Sequence, residues 1–420
     1  MRITLSTVRF EPKAPFIVVF CLAFIFILFR TSEFVSLSLL SEESDKKTRS
    51  AHTRREHLFL TTPIFYPKSK TYNQPTVAVV AAAGREFSQN SIFCVSANGS
   101  QHLSIPATIH RITYTPACKW ATYTLTCSVA TDMNTFGLSS LNAELPLKHQ
   151  FIAADAVNRE VVVCMSRMFL YENWQVLLTS LEIYRNYRAD LLVAYVDSVV
   201  TGVFDLLKVY EREGLVMIEP SIKVHYTREM PFDPNRENEW GNQMIVYNHC
   251  LYKFRESAEF VVFADWDDAL IPRSEGVGMA EPLRSLFARD PQVGAFQLHR
   301  MSTTLFAASD PNNFDFKTTL TTMQVSQFFG AGKTVVIPSR VKGAWVHTPS
   351  QFEHGYKLGY AKTSDSWFYH LRRLFTYKLR RPDQAVARPN QLNTSEMVQS
   401  FADFHESRNL KKVCSCEGAA

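Results

Sequence analysis

The 420-residue chain has no long basic block, and its formal net charge of +5 is small for its length. That balance excludes nucleic acid as the default partner, because nucleic-acid surfaces concentrate lysine and arginine to neutralise phosphates. No glycine-rich loop of the phosphate-cradling kind occurs. This argues against a phosphotransferase or nucleotidyltransferase built on backbone amides. Internal repeats and long low-complexity tracts are lacking too. After the first apolar run there is no small-x-small cleavage site, and Arg30 stands where cleavage would fall. Of the eight cysteines, Cys21 lies in that run. The remaining seven are an odd number, so at least one thiol stays free or pairs between chains.

The chain does have enough apolar content, 46%, for a substantial core. Arg2, Arg9 and Lys13 precede the uncharged run Phe16–Phe29. Basic residues on that side keep the N-terminus cytosolic. The reading is a cytosolic tail (1–15), a signal-anchor helix (16–30) short enough for a thin early-secretory membrane, and a lumenal body. Residues 31–75, with "SEESDKKTRSAHTRREH" inside, read as a stem. Short strand candidates separated by turn residues then suggest a small accessory β-rich domain over 76–155. Cys94, Cys118 and Cys127 are close enough for a local bridge in an oxidising lumen. Cys164 ends a strand-like run and reads as a buried thiol. Asn98 and Asn393 head glycosylation tripeptides.

From 156 to about 410 the pattern changes, before a short tail (411–420). "EVVVCMS", "DLLVAYVD", "LVMIEP" and "EFVVFAD" are buried-strand runs. Between them lie helical periods through Trp174, Leu177, Leu178, Leu181 and Tyr184, through Val203, Leu206, Leu207 and Tyr210, and through Met244, Tyr247, Leu251 and Phe254. This alternation predicts an α/β domain on a parallel sheet, which binds ligands beyond the carboxyl ends of its strands.

The fourth run leads directly into "DWDDALIP", with Asp265, Asp267 and Asp268 at such an end. Carboxylates beside a core are costly unless a cation meets them. Asp265 and Asp267 form the chain's one Asp-x-Asp, a donor set for Mn²⁺ or Mg²⁺ that leaves positions open for a nucleotide diphosphate. The chemistry such a site serves is departure of that diphosphate. His347 is the first candidate for a third metal ligand, and His370 the second, because Arg372 and Arg373 beside it repel a cation. Ser166 and Arg167, after the first strand, and Asp197, after the second, are candidates to bind the base or ribose of the donor. Asn248, inside the third helix, faces either the site or solvent. For a general base, Asp268 and Asp315 are both open.

The ordered blocks "VVVCMSRMFLYENW", "LLVAYVDS", "YEREGLV", "NQMIVYNHCLYKF", "FVVFADWDDALIP", "KTVVIPSRVKGAWVHTP" and "FYHLRRL" together resemble glycosyltransferase family 92, formerly domain of unknown function 23, in its nematode form. The resemblance implies a GT-A-like (Rossmann-like) fold. It also implies a Mn²⁺-dependent inverting transfer of galactose from UDP-galactose, in β linkage, to an acceptor such as a fucosylated N-glycan. Asp265 and Asp267 carry over as the metal and diphosphate pair. Asp268 stands where the family block has Glu, Trp266 is bulkier than the usual aliphatic, and Leu371 replaces a Tyr. The combined expectation is a single-pass type II Golgi membrane glycosyltransferase. The alternative is a catalytically silent, membrane-tethered glycan-binding protein on the same fold.

Overall fold

Between Leu58 and Ala153 the chain runs through ten short strands: β1 (Leu58–Leu60), β2 (Ile64–Tyr66), β3 (Thr76–Gly84), β4 (Ile92–Ala97), β5 (His102–Pro106), β6 (Thr108–Arg111), β7 (Trp120–Ser128), β8 (Thr135–Ser140), β9 (Leu147–His149) and β10 (Ile152–Ala153). One sheet has the order β10-β2-β3-β7-β6 with β1 also on β3, and the other has the order β5-β4-β8-β9. In β3, alternate residues face opposite ways, as a strand requires. Val77, Val79, Ala81 and Ala83 join Tyr123, Leu125, Phe136 and Leu138 in one apolar cluster, while Ala78, Val80 and Ala82 belong to another.

The computed structural model describes residues 58–85, 87, 92–112, 118–140, 147–223, 233–272, 278–306, 308, 314–374 and 394–408. The expected anchor (16–30), the first part of the expected stem, Asn393, Cys414 and Cys416 lie outside them. Among the described residues no helix is long and apolar enough to cross a membrane. The stretch 58–75, expected to be stem, carries β1 and β2, both paired with β3.

The second half follows the predicted alternation: β11 (Arg159–Met165), α1 (Trp174–Asn186), β12 (Leu191–Val196), α2 (Thr201–Arg212), β13 (Val216–Pro220), α3 (Gln243–Lys253) and β14 (Ala258–Ala264). Next come β15 (Asp268–Ile271), α4 (Ala280–Phe287), β16 (Val293–Phe306), α5 (Phe316–Thr321), β17 (Gln324–Val336), β18 (Val341–Ala344), β19 (Pro349–Phe352), β20 (Lys357–Tyr360), β21 (Trp367–Leu374) and α6 (Thr394–Arg408). The large sheet has the order β13-β12-β11-β14-β17-β16-β21-β15, with β20 also beside β16. Strands β13, β12, β11 and β14 are mutually parallel. Strand β17 is antiparallel to β14 and to β16. The fold is mixed α/β. Its strand order reverses between β11 and β14, the switch point at which such sheets open a crevice.

Alternate β11 residues feed two cores. Val161, Val163 and Met165 pack with α1 and α2, while Val162 and Cys164 pack with α3. Helix α3 has a further partner, because Ile245 and Tyr252 cluster with Ile64, Tyr66, Ala78, Val80 and Ala82 of the first sheet. The β-rich region therefore shares this helix with the large sheet, and the chain from residue 56 onward is one compact unit. A separate accessory domain over 76–155 is not what the packing shows.

One cysteine pair differs from the sequence reading, and the other is the local bridge expected among Cys94, Cys118 and Cys127. Cys164 is not a lone thiol but is disulfide-bonded to Cys250, tying β11 to α3 across a Cα separation of 5.9 Å. Cys94 pairs with Cys127, linking the two small sheets, and Cys118 is free.

Candidate active site

Beyond Ala264 the chain turns sharply, closed by a hydrogen bond from Asp268 N to Asp265 O of 2.8 Å. Trp266 is buried and donates its indole N–H to Ser166 O at 2.7 Å. It thus fixes the turn after β14 to the loop after β11. Strand β15 pairs with β21 in a register that sets His370 opposite Asp268. The Leu371 N–H donates to Asp267 O at 2.6 Å.

The three aspartates have different environments. Asp265 accepts from Gln243 Nε2 at 2.9 Å and the Tyr247 hydroxyl at 3.1 Å on one oxygen, and from Lys333 Nζ at 2.7 Å on the other. Burial pushes its pKa up, but the Lys333 ammonium and these hydrogen bonds outweigh burial and hold it below the usual range. Asp268 is fully buried. Its Oδ1 lies 3.0 Å from His370 Nδ1, and its Oδ2 faces Arg300 and Lys333, each at 3.5 Å. That Oδ2 has no partner at hydrogen-bond distance. Asp267, with its side chain 40% exposed, stands at the rim 3.5 Å from His370 Nδ1. Enclosure and the neighbouring Asp268 charge push its pKa up to about 6, against the opposing pull of His370.

A cavity of about 620 Å³ opens over this turn. Its walls include Ser166, Arg167, Phe169, Tyr171, Glu172, Asn173, Asp265, Asp267, His370 and Arg372. That volume suits a small-molecule site. The Tyr171 hydroxyl and Asn173 Oδ1, both on residues lining the cavity, are buried without a hydrogen-bond partner among the described residues. Buried polar atoms are normally satisfied, so orphans around one cavity point to a polar ligand.

Of the residues predicted from sequence, Ser166, Arg167, Asp265, Asp267 and His370 come together on this wall. Asp197 sits behind it, 2.9 Å from Arg167 and also paired with Lys223. Asn248 lies elsewhere. It is fully buried and clasps β18, bonded to Ala344 N and O at 2.8 and 2.9 Å and to Met244 O at 2.7 Å. Buried in these contacts, it does not line the cavity. Asp315 caps α5 through Thr318 N at 2.8 Å and does not line the cavity, so it is not placed as a base. His347 is not in the carboxylate cluster, and its Nδ1 donates to Gly332 O at 2.8 Å. Burial lowers its pKa, with Lys333 and Arg300 adding to the effect. Sequence reading missed Lys333, Arg300, Tyr171 and Glu172. The lone lysine opening the apolar run "KTVVI" was the one available signal for Lys333.

The residues fit a divalent cation, but with a different ligand set from the expected one. Asp267, Asp268 and His370 bring one ligand atom each within 4.8 Å of one another. Asp267 Oδ2 and Asp268 Oδ1 both face His370 Nδ1, at 3.5 and 3.0 Å, whereas both oxygens of Asp265 are already engaged. Two carboxylates and an imidazole suit Mn²⁺ or a similar ion.

An α/β sheet with an acidic turn and an open cavity beside its switch point places the site where such sheets bind ligands. The family model for glycosyltransferase family 92 matches residues 159–412, and the chain belongs to that family. Among curated proteins it is similar to glycosyltransferase family 92 protein F13G3.3 of Caenorhabditis elegans, 27% identical over 79% of this chain and 66% of the relative. Protein F59C6.8 of the same organism is 28% identical over 84% of this chain and 68% of the relative. The chain thus spans about two thirds of the length of these relatives. Among solved structures there is a loose likeness to a mannosyltransferase from Pyrobaculum calidifontis in complex with GDP-mannose and Mn²⁺. The identity is 12%, over 61% of this chain and 65% of the other, with a TM-score of 0.26. Another is to TarS of S. aureus with UDP-GlcNAc, 9% identical over 60% and 73% of the two chains, with a TM-score of 0.25.

Proposed function

We propose that the protein is a metal-assisted glycosyltransferase of GT-A-like fold. It moves a sugar, galactose in this reading, from a UDP-sugar to an acceptor glycan with inversion. The observation that carries the proposal is the cavity at the switch point, lined by Asp267 and His370 with the buried Asp268 next to them and the unpartnered Tyr171 and Asn173 polar atoms on the same wall. Asp267, Asp268 and His370 would hold a divalent cation there, which would supply positive charge to a departing diphosphate.

The chain's own residues account for the rest. Arg167 and Arg372 place cationic groups on the cavity wall for phosphate oxygens. Asp265 is locked by Lys333, Gln243 and Tyr247, which fixes the turn rather than binding the ion. Inversion requires a base that takes the acceptor hydroxyl's proton as that oxygen attacks opposite the leaving group. Asp268, fully buried against His370, and Asp315, engaged as a cap, are poorly placed for that. Glu172, exposed on the same wall, takes the role.

A type II Golgi topology is supported by the flanked apolar run 16–30, and an oxidising lumen by the two cysteine pairs. The test is Asp267→Ala in the full chain, assayed for UDP release from UDP-galactose with Mn²⁺ and a glycan acceptor. The expected result is a loss of at least about a hundredfold with an unchanged circular dichroism spectrum. A folded variant that keeps wild-type turnover would sink the assignment.

A further inference from the structure

Tyr171 and Asn173 line the cavity on either side of Glu172 in the chain, and each leaves a polar atom unused. The backbone around Tyr171 is pinned from both sides. Its N–H donates to Ser198 O at 3.1 Å, its carbonyl accepts from Val200 N at 3.1 Å, and the preceding Leu170 N–H donates to Ser198 Oγ at 2.8 Å. Leu170 has a φ of 46°, in the left-handed region that a leucine rarely adopts, so the loop after β12 holds a strained turn in place. Yet the Tyr171 hydroxyl is buried with no hydrogen-bond partner among the described residues.

Asn173 occupies the N-cap position of α1, where an asparagine's side-chain oxygen ordinarily accepts from an N–H of the first helical turn. Here no such bond forms, and Asn173 Oδ1 is buried without a partner among the described residues. Buried polar atoms are normally paired, and leaving one unpaired destabilises the fold. Two such atoms flank Glu172, and one of them passes over a cap bond open to it. A bound ligand that pairs with both would offset that cost.

We infer that Tyr171 and Asn173 hold hydroxyl groups of the sugar carried by the donor, and so help select which sugar is transferred. This rests on the transferase reading. The chemistry of the pair narrows the occupant. Asn173 Oδ1 can only accept, so its partner must donate, which an ionised phosphate oxygen cannot do. Burial, with the Asp267 carboxylate adding to it, pushes the Tyr171 phenol up, so it stays protonated and can donate. Sugar hydroxyls both donate and accept, and therefore suit both atoms. Uracil offers an N–H and carbonyls as well. The charge that bears on Tyr171, however, is that of Asp267, a member of the candidate metal cluster. In a nucleotide sugar the transferred sugar is bonded directly to the diphosphate, whereas the base stands a ribose away from it. The ribose hydroxyls are the remaining competitor, and they belong to UDP itself.

The test compares the wild-type full chain with Tyr171→Phe and Asn173→Ala by calorimetry with Mn²⁺. The probes are UDP, UDP-galactose, UDP-glucose and UDP-N-acetylglucosamine, and melting temperatures are taken without ligand. Each variant is expected to bind the best-bound UDP-sugar about fivefold more weakly, the worth of one hydrogen bond, with UDP affinity within about twofold of wild type. Tyr171→Phe should melt no lower than wild type, because it removes a buried hydroxyl that has no partner in the folded chain. UDP and UDP-sugar affinities that fall together would assign the two atoms to the nucleotide and overturn the inference. Unchanged UDP-sugar affinity would do the same, as would a Tyr171→Phe that melts lower, since its hydroxyl would then be bonded within the protein. A wild type that binds UDP but none of the UDP-sugars overturns the sugar contact alone. One that binds no UDP overturns the transferase reading, and the contact with it.

Discussion

Lys333 holds its ammonium where no water reaches it, 2.7 Å from Asp265 and 3.5 Å from Asp268, with its side chain fully buried. Removing one partner from a buried charge cluster leaves the others uncompensated, which costs about 3–5 kcal/mol. Lys333→Met should therefore lower the free energy of unfolding in urea by that amount. Adding Asp265→Asn should recover part of it, because the stranded charge goes too. A single-variant loss below about 1 kcal/mol would show that these charges are not coupled. The aspartates were legible in the sequence, because an acidic turn after an apolar run is a local pattern. The lysine that neutralises them lies on β17, and nothing local connects it to Asp265.

At the scale of elements, α3 has the most unusual position. Its predicted stripe of Met244, Tyr247, Leu251 and Phe254 is buried, but so are Ile245, Asn248, His249 and Tyr252. A helix between two sheets has no solvent face, and any polar residue on it must be satisfied inside. His249 meets the Tyr195 hydroxyl through Nδ1 at 2.9 Å. Burial, helped by Lys253, lowers its pKa to about 4. An unfolded histidine titrates near 6.5, so between about 6.5 and 4 the unfolded chain binds a proton that the folded one refuses. Stability is full above that window and falls as pH drops through it, by on the order of 3 kcal/mol. Urea unfolding at pH 7 and pH 4.5 should show this loss in wild type and lose most of that difference in His249→Gln. Equal pH dependence in the two proteins would mean His249 is not held neutral.

For the molecule as a whole, the β-rich region behaves as a layer of the fold. Arg255, buried to 1% exposure, donates to Val341 O and to Glu353, each at 2.6 Å, and lies 5.4 Å from the rings of both Tyr72 and Tyr252. Glu256 accepts from the N–H groups of Lys70 and Thr71 at 3.0 and 3.1 Å. A fragment spanning 156–420 would strip Tyr72 from Arg255 and the Lys70 and Thr71 N–H groups from Glu256, and expose Ile245 and Tyr252. We expect it to melt without a cooperative transition and to be cut rapidly by protease. Sharp, reversible unfolding of that fragment would restore the view of two independent domains.

Local chemistry in the chain was enough to determine the alternating strands and helices of the second half and the acidic turn at the end of the fourth strand. Periods of two and 3.6 residues and the cost of burying charge act over a few neighbours, so one sequence records them. Tertiary structure alone decided that β15 and β21 set His370 against Asp268, that Lys333 meets Asp265, that Cys164 finds Cys250, and that α3 serves two sheets. Each of these joins residues tens of positions apart. Their meeting depends on strand register and layer packing, which no single stretch of sequence encodes.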